Sequence, residues 1–260
     1  MLHHYSIASG IIAFSTTRHG GVSEGNYAAF NVNHYCGDNP HHIAENRQQL
    51  CRCLGIDESR LIYPHQTHHT EVWQVDDSFL TWADSERSKA LEGIDALMTD
   101  CRGVCIGVST ADCIPVLLYD EVHHAVAAIH AGWRGTVGRI VEKTVVAMQQ
   151  VYQTNPADLQ VVIGPGISLT HFEVGDEVYD TFVANGFPMN QLAARFPAST
   201  GERWHIDLPA CNRWQLLQTG VKADAITDTA VCTFAQVDDF FSARRLGINS
   251  GRILTAIMIK

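Results

Sequence analysis

Cys113 and His130 are the residues whose types and spacing first suggest chemistry. A thiol and an imidazole lie 17 positions apart, each at the outer end of an apolar run, Ile114 to Tyr119 and Ala125 to Ile129, with Asp120-Glu121-Val122-His123 between the runs. An antiparallel hairpin centred between Glu121 and Val122 would set Cys113 directly opposite His130. Opposed residues have Cβ atoms about 4.5 to 5.5 Å apart, close enough to share one metal ion or one proton. A third donor would complete a metal site, and His65-Gln66-Thr67-His68-His69 offers three imidazoles just before the β-like run Glu71 to Val75. The spacing of His65 from His68 or His69 would also suit one face of a helix, but Pro64 and the β-like continuation argue for a strand entrance, where site residues gather. Two His and one Cys with an open fourth position is the pattern of a catalytic rather than a structural zinc. Such a metal activates water near neutral pH and polarises an electrophile. Asp112, beside Cys113, either relays protons or shapes a turn.

The elements that must position these residues are legible from periodicity and capping. Asn39-Pro40 supplies an N-cap and a first-turn proline, after which Ile43, Leu50, Cys51 and Leu54 share a face until Gly55. From Thr136 the positions Val137, Ile140, Val141, Val145, Met148, Val151 and Tyr152 follow helical spacing as one helix. Asp207 caps a third helix with Pro209 in its first turn, Leu208, Trp214, Leu216 and Leu217 inside, and Gly220 at its end. Strands are expected at Ile11 to Thr16, Glu71 to Val75, Gly103 to Ser109, Ile114 to Tyr119, Ala125 to Ile129, Leu159 to Ile163, Ala230 to Phe234 and Ile253 to Ile259. Several are apolar throughout, as in strands covered on both faces. Strands also follow one another without helices between them, so an α+β fold of mixed sheets flanked by helices fits better than a regular βαβ repeat.

Asp76 to Glu92 is the most polar stretch and reads as a surface loop or short helix. With no linker, repeat or low-complexity tract, residues 1–260 are expected to form a single catalytic domain. A formal charge of -10, from 18 Lys+Arg against 28 Asp+Glu, lacks the footprint of a general nucleic-acid binder. The absence of a long apolar stretch and of a leader-like N-terminus predicts a cytoplasmic protein with no membrane partner. In that compartment disulfides are disfavoured. The eight cysteines (36, 51, 53, 101, 105, 113, 211, 232) contain no CxxC pair, so most are expected to be small buried hydrophobes. Small molecules are the expected partners, and no obligate protein partner is evident.

The motifs resemble those of the YfiH/LACC1 family (DUF152), formerly taken for multicopper, laccase-like polyphenol oxidases and now regarded as purine nucleoside phosphorylases with adenosine deaminase activity. The matching segments include Phe14 to Ser23, Asn31, Gly37-Asp38, Asn46-Arg47, Gln66-Thr67-His68, Asp95 to Thr99, Ala111-Asp112-Cys113-Ile114-Pro115, His130-Ala131-Gly132-Trp133-Arg134-Gly135, Gly164-Pro165, Phe172 to Gly175 and Phe241 to Arg244. They span nearly the whole chain in order. The resemblance implies a layered αββα sandwich (CNF1/YfiH-like) and metal ligands at His68, Cys113 and His130, with zinc as the expected cofactor and copper as the other candidate; Asp112, Cys113 and His130 would be the catalytic residues. Its implied substrates are purine nucleosides (adenosine, inosine, guanosine, S-methyl-5′-thioadenosine) and phosphate. A dianion needs bidentate cations. Arg18, Arg134 and Arg244 lie in the motifs and are the candidates, with Arg245 ranked below Arg244 and Gln66 as a further substrate contact.

Two other chemistries fit the same residues. Cys113 and His130 without a metal would be a nucleophile and base, as in a Cys-His hydrolase or amidase acting on a cell-wall precursor. Soft S and N donors also accept copper, as in a polyphenol oxidase, although multicopper oxidation needs several sites and the sequence offers one convincing set.

Overall fold

Runs that are apolar at every position become strands covered on both faces. The computed structural model describes residues 1–199 and 201–260. A six-stranded sheet has the order Ile226–Asp228, Leu159–Ile163, Ile114–Asp120, Ala125–Ala131, Ile94–Thr99, Glu71–Gln74. A five-stranded sheet has the order Leu2–Tyr5, Ile11–Thr16, Ile253–Ile259, Cys105–Thr110, Leu61–Ile62. A small third sheet pairs Glu202–Ile206 with Glu173–Val174 on one side and Ala193–Pro197 on the other.

Because side chains alternate along a strand, each large sheet presents two apolar faces. Leu97, Leu117, Val126, Ala128 and Val162 of the six-stranded sheet meet Ala13, Ile106, Val108, Ile257 and Ile259 of the five-stranded one. The opposite face of the six-stranded sheet packs Val116, Leu118 and Ile129 under helices Ile140–Tyr152 and Leu208–Gln218. Helix Pro40–Leu54 covers the other sheet, setting Leu50 and Cys51 against Phe14, Leu254 and Met258. Burial of one such leucine is worth about 1.5–3 kcal/mol. The result is the expected α+β, αββα sandwich. Among the described residues no helix is long and apolar enough to cross a membrane.

The capped helices start where expected: the Asn39 side chain accepts from His41 N at 3.0 Å, and that of Asp207 from Ala210 N at 3.0 Å. Four expectations need correction. The hairpin pairs Pro115 with His130, not Cys113 with His130. Its turn is centred one residue later than expected, between Val122 and His123, because the Asp120 carboxylate accepts from Val122 N (2.9 Å) and His123 N (3.0 Å), and His124 turns the chain in the left-handed region at φ 52°. The helix expected from Thr136 is two helices, Trp133–Val137 and Ile140–Tyr152, broken at Arg139, whose φ is 66°. That guanidinium lies over Phe187 and Trp214 and donates to Asn185 O, which holds the break. Leu217 is 39% exposed rather than inside; Asn212 and Gln215 fill the buried positions instead and bond Thr136. Finally, Ala230 to Phe234 is not a strand: it makes one isolated bridge, Cys232 with Gly166, outside the sheets. Strand Ile94–Thr99 was not foreseen, and it carries a residue central to the site.

Candidate metal centre

Three adjacent inner strands of the six-stranded sheet bring the site together at their ends. In the pair formed by Ile94–Thr99 and Ala125–Ala131, Ala96 opposes Ile129, so Asp95 and His130 come next in register. On the other side of the same strand Pro115 opposes His130, which leaves Cys113 as its diagonal neighbour. The register differs from the expected one by two residues, and a shift of two keeps a side chain on the same face. Cys113, His130 and Asp95 thus share the parity of Leu117, Val126, Ala128 and Leu97, the residues facing the second sheet.

Asp95 organises the rest. It is fully buried, and its carboxylate accepts the Nδ1 hydrogen of His130 at 2.7 Å. The same carboxylate accepts from three successive backbone amides, Thr67 (3.3 Å), His68 (3.1 Å) and His69 (2.8 Å). These bonds hold His68 at φ 65°, an uncommon conformation for a non-glycine residue, and turn its ring toward the strand edge. The loop is fixed a second time by Gln66, whose amide accepts from Ser109 N (2.7 Å) and donates to Ser109 O (2.8 Å). The donor atoms of His68, Cys113 and His130 lie within 4.8 Å of one another, and the two rings meet edge to face at 4.9 Å. His68 rather than His69 joins the set.

The electrostatics suit metal ligation. Burial pushes the Cys113 thiol up, but the His130 charge and hydrogen bonds from His130 and His68 outweigh it and bring it down to about 6. Burial favours neutral His130, yet the Cys113 thiolate and the bond to Asp95 prevail and raise it to about 9. Asp95 is held below the usual carboxylate range: burial opposes this, while the His130 bond and the loop amides enforce it. A carboxylate behind a ligating imidazole fixes its tautomer, and since Nδ1 is engaged by Asp95, His130 offers Nε2. Gly132 closes the arrangement: a Cβ there would stand 3.0 Å from Cys113 Sγ and 3.1 Å from His68 Cδ2. The donor set therefore fits a thiophilic or borderline ion such as zinc or copper.

The donors sit at a cleft of about 290 Å³, walled also by Asn33, Tyr35, His65, Gln66, Ser109, Thr110, Ile248 and Arg252. Asp112 is adjacent in sequence but engaged elsewhere, its carboxylate accepting from Thr233 Oγ1 and Arg244 N, both at 2.7 Å. Its φ of 87° makes it the corner that delivers Cys113. None of Arg18, Arg134 and Arg244 lines the cleft. Arg18 donates to Ala28 O and Val237 O over Phe241. Arg134 is exposed over Trp133, and Arg244 reaches Glu173 O. The arginine that does line the cleft is Arg252, eight residues beyond Arg244 and outside every motif; nothing in the sequence marks it. Asp95 left a signal, as the lone acid in the otherwise uncharged run Ile94–Thr99.

Known proteins share this architecture. A protein of Bacteroides thetaiotaomicron named purine nucleoside phosphorylase is 46% identical over 261 aligned positions, covering 100% of this chain and 96% of its own. Adenosine deaminase RL5, from an unknown prokaryotic organism, is 43% identical over 251, covering 96% and 95%. The crystal structure of the hypothetical protein YfiH of Bacillus licheniformis superposes with a TM-score of 0.87 at 29% identity, covering 96% of this chain and 93% of that one. Residues 12–260 match the family described as multi-copper polyphenol oxidoreductase laccase. With its sheets, its His-Cys-His cluster and its end-to-end relatives in agreement, the chain belongs to this YfiH-type (DUF152) family.

Proposed function

We propose that this enzyme is a zinc-dependent purine nucleoside phosphorylase that also deaminates adenosine. The observation that carries this reading is one His68–Cys113–His130 donor set at the cleft of a chain that aligns end to end with relatives named for reactions on purine nucleosides. Zinc held by these three residues supplies Lewis acidity and makes water reactive near neutral pH. In phosphorolysis a phosphate oxygen bonds to ribose C1′ as the C1′–N9 bond breaks, and the base leaves with the bonding pair and takes up a proton. In deamination water oxygen bonds to C6 of adenine and ammonia leaves.

The chain's own residues prepare the site. Asp95 orients His130 and anchors the loop of His68, Cys113 is kept as a thiolate, and Gly132 leaves room beside both. Arg252 is the phosphate cation we favour over Arg18, Arg134 and Arg244: its bonds to Ser250 O, Gly251 O and Ile248 O fix its position, and carbonyl partners leave its charge uncompensated. Asp112 acts as an anchor for the Cys113 corner rather than as a proton relay. The eight unpaired cysteines support a reducing, cytoplasmic location.

The test is incubation of zinc-loaded protein with adenosine, with and without phosphate. Adenine, hypoxanthine and ribose 1-phosphate are expected only with phosphate, and inosine is expected to accumulate without it; no turnover of any purine nucleoside would overturn the assignment. A second reading has its own observation: without metal, Cys113, His130 and Asp95 form a nucleophile, base and orienting acid as in a cysteine hydrolase. Activity that survives both zinc removal and His68→Ala would favour it.

A further inference from the structure

The cleft's aromatic wall carries an assignment of its own. Tyr35 and His65 come from different loops and line the cleft that holds the metal donors. Their rings stack at 4.3 Å between centroids and 19° between planes. Tyr35 is 36% exposed, unusual for a large ring in this chain, and His65 is part-exposed beside it. Both rings have partners: His65 Nδ1 donates to both carboxylate oxygens of Glu92, at 2.8 and 2.9 Å, while the Tyr35 backbone N donates to Asn33 Oδ1 at 2.6 Å and its ring packs on His34 at 3.9 Å between centroids. On the same cleft Ile248 is 73% exposed, in a loop pinned by Arg252. Exposed, rigidly held π and apolar surface next to metal donors is suited to a flat, heteroaromatic ligand, because stacking places a π face on a π face while the fixed rings lose little entropy on binding.

We infer that the Tyr35–His65 stack, with Ile248 at the rim, is the platform for the purine base, and that it positions the nucleoside so that its reacting atoms face the His68–Cys113–His130 edge. This rests on the proposed function and adds to it the residues that recognise the base. They act by position and take no part in the bond changes. Stacking accepts any purine, so these residues account for recognition of the ring system and not for a choice between adenine and hypoxanthine.

The experiment compares wild type with Tyr35→Ala, His65→Ala and Tyr35→Phe in the zinc-loaded full chain. Three quantities are measured for each: KM and kcat for adenosine with phosphate, inhibition by free adenine, and inhibition by ribose 1-phosphate. Zinc content per chain is the control for a damaged loop. Both alanine variants are expected to raise KM and to weaken adenine inhibition on the order of tenfold, with zinc content and ribose 1-phosphate inhibition unchanged and kcat altered less than KM. Tyr35→Phe, which keeps the ring, restores what Tyr35→Ala loses. Wild-type turnover with adenine inhibition unchanged in Tyr35→Ala, or equal weakening for adenine and ribose 1-phosphate, overturns this assignment alone. A wild type that neither binds adenine nor consumes a purine nucleoside overturns the proposed function and this assignment with it.

Discussion

At the scale of single residues, the site is organised by a carboxylate that does not line the cleft. Asp95 places one oxygen on His130 and shares the group with three loop amides, so one side chain couples two of the three candidate metal donors. Partners behind a ligand typically change metal affinity 10- to 100-fold. Asp95→Asn keeps the shape and can still accept from the loop, but it removes the charge that stabilises the His130 imidazolium in the metal-free protein. We expect zinc affinity to fall within that 10- to 100-fold range in competition with a chelator. A linked effect is expected at Cys113. Its thiol is an acid held down at about 6, so in zinc-stripped wild type the reactive thiolate grows as pH rises through about 6 and is lost as pH falls below it. Loss of Asp95's charge weakens His130 as the stabilising cation, so the iodoacetamide profile of Asp95→Asn should move to higher pH. An unchanged profile together with unchanged zinc affinity would show that Asp95 serves the loop alone.

At the scale of elements, what was legible in the sequence was what local patterning determines. Asn39 and Asp207 announced their helices because a cap is a local bond. The runs Ile114 to Tyr119 and Ala125 to Ile129 announced themselves because strands buried on both sides need uninterrupted apolar residues. The hairpin register depended on a side chain, Asp120, that moved the turn one residue along the chain, and the helix break depended on the contacts of Arg139 with Phe187 and Trp214, distant in sequence. His68, Cys113 and His130 were accessible from motifs, whereas Tyr35 and Arg252 are placed by tertiary structure alone. Gln66 illustrates the difference. Its motif suggested a substrate contact, but its amide pairs twice with the Ser109 backbone and so fastens the metal loop to strand Cys105–Thr110. Removing one side of such a pair costs about 1–3 kcal/mol, because the strand groups lose their partner. Gln66→Ala is therefore expected to lower unfolding stability by about that amount in denaturant titration, and to lower zinc affinity with it. A substrate-contact role would instead raise KM with stability and zinc content intact.

At the scale of the whole molecule, the proposed phosphorolysis requires a chain of formal charge -10 to admit a dianion. Two terms of opposite sign act on phosphate. The distributed repulsion acts across a particle with a radius of roughly 20 Å, whereas a guanidinium in the cleft acts at contact. Salt separates them, since the screening length is about 30 Å at 0.01 M and about 8 Å at 0.15 M. The diffuse repulsion therefore fades over this range by on the order of 1 kcal/mol, while an attraction across about 4 Å loses roughly half that. The net effect favours entry as salt is added. The KM for phosphate should fall by about twofold or slightly more from low to physiological ionic strength, with the KM for a neutral nucleoside unchanged. In Arg252→Gln the local attraction is gone, so KM for phosphate should be higher at every ionic strength and should fall more steeply with salt. A phosphate KM that rises with salt in wild type would mean that local cations outweigh the global charge, and a salt response unaltered in Arg252→Gln would remove Arg252 from the phosphate site.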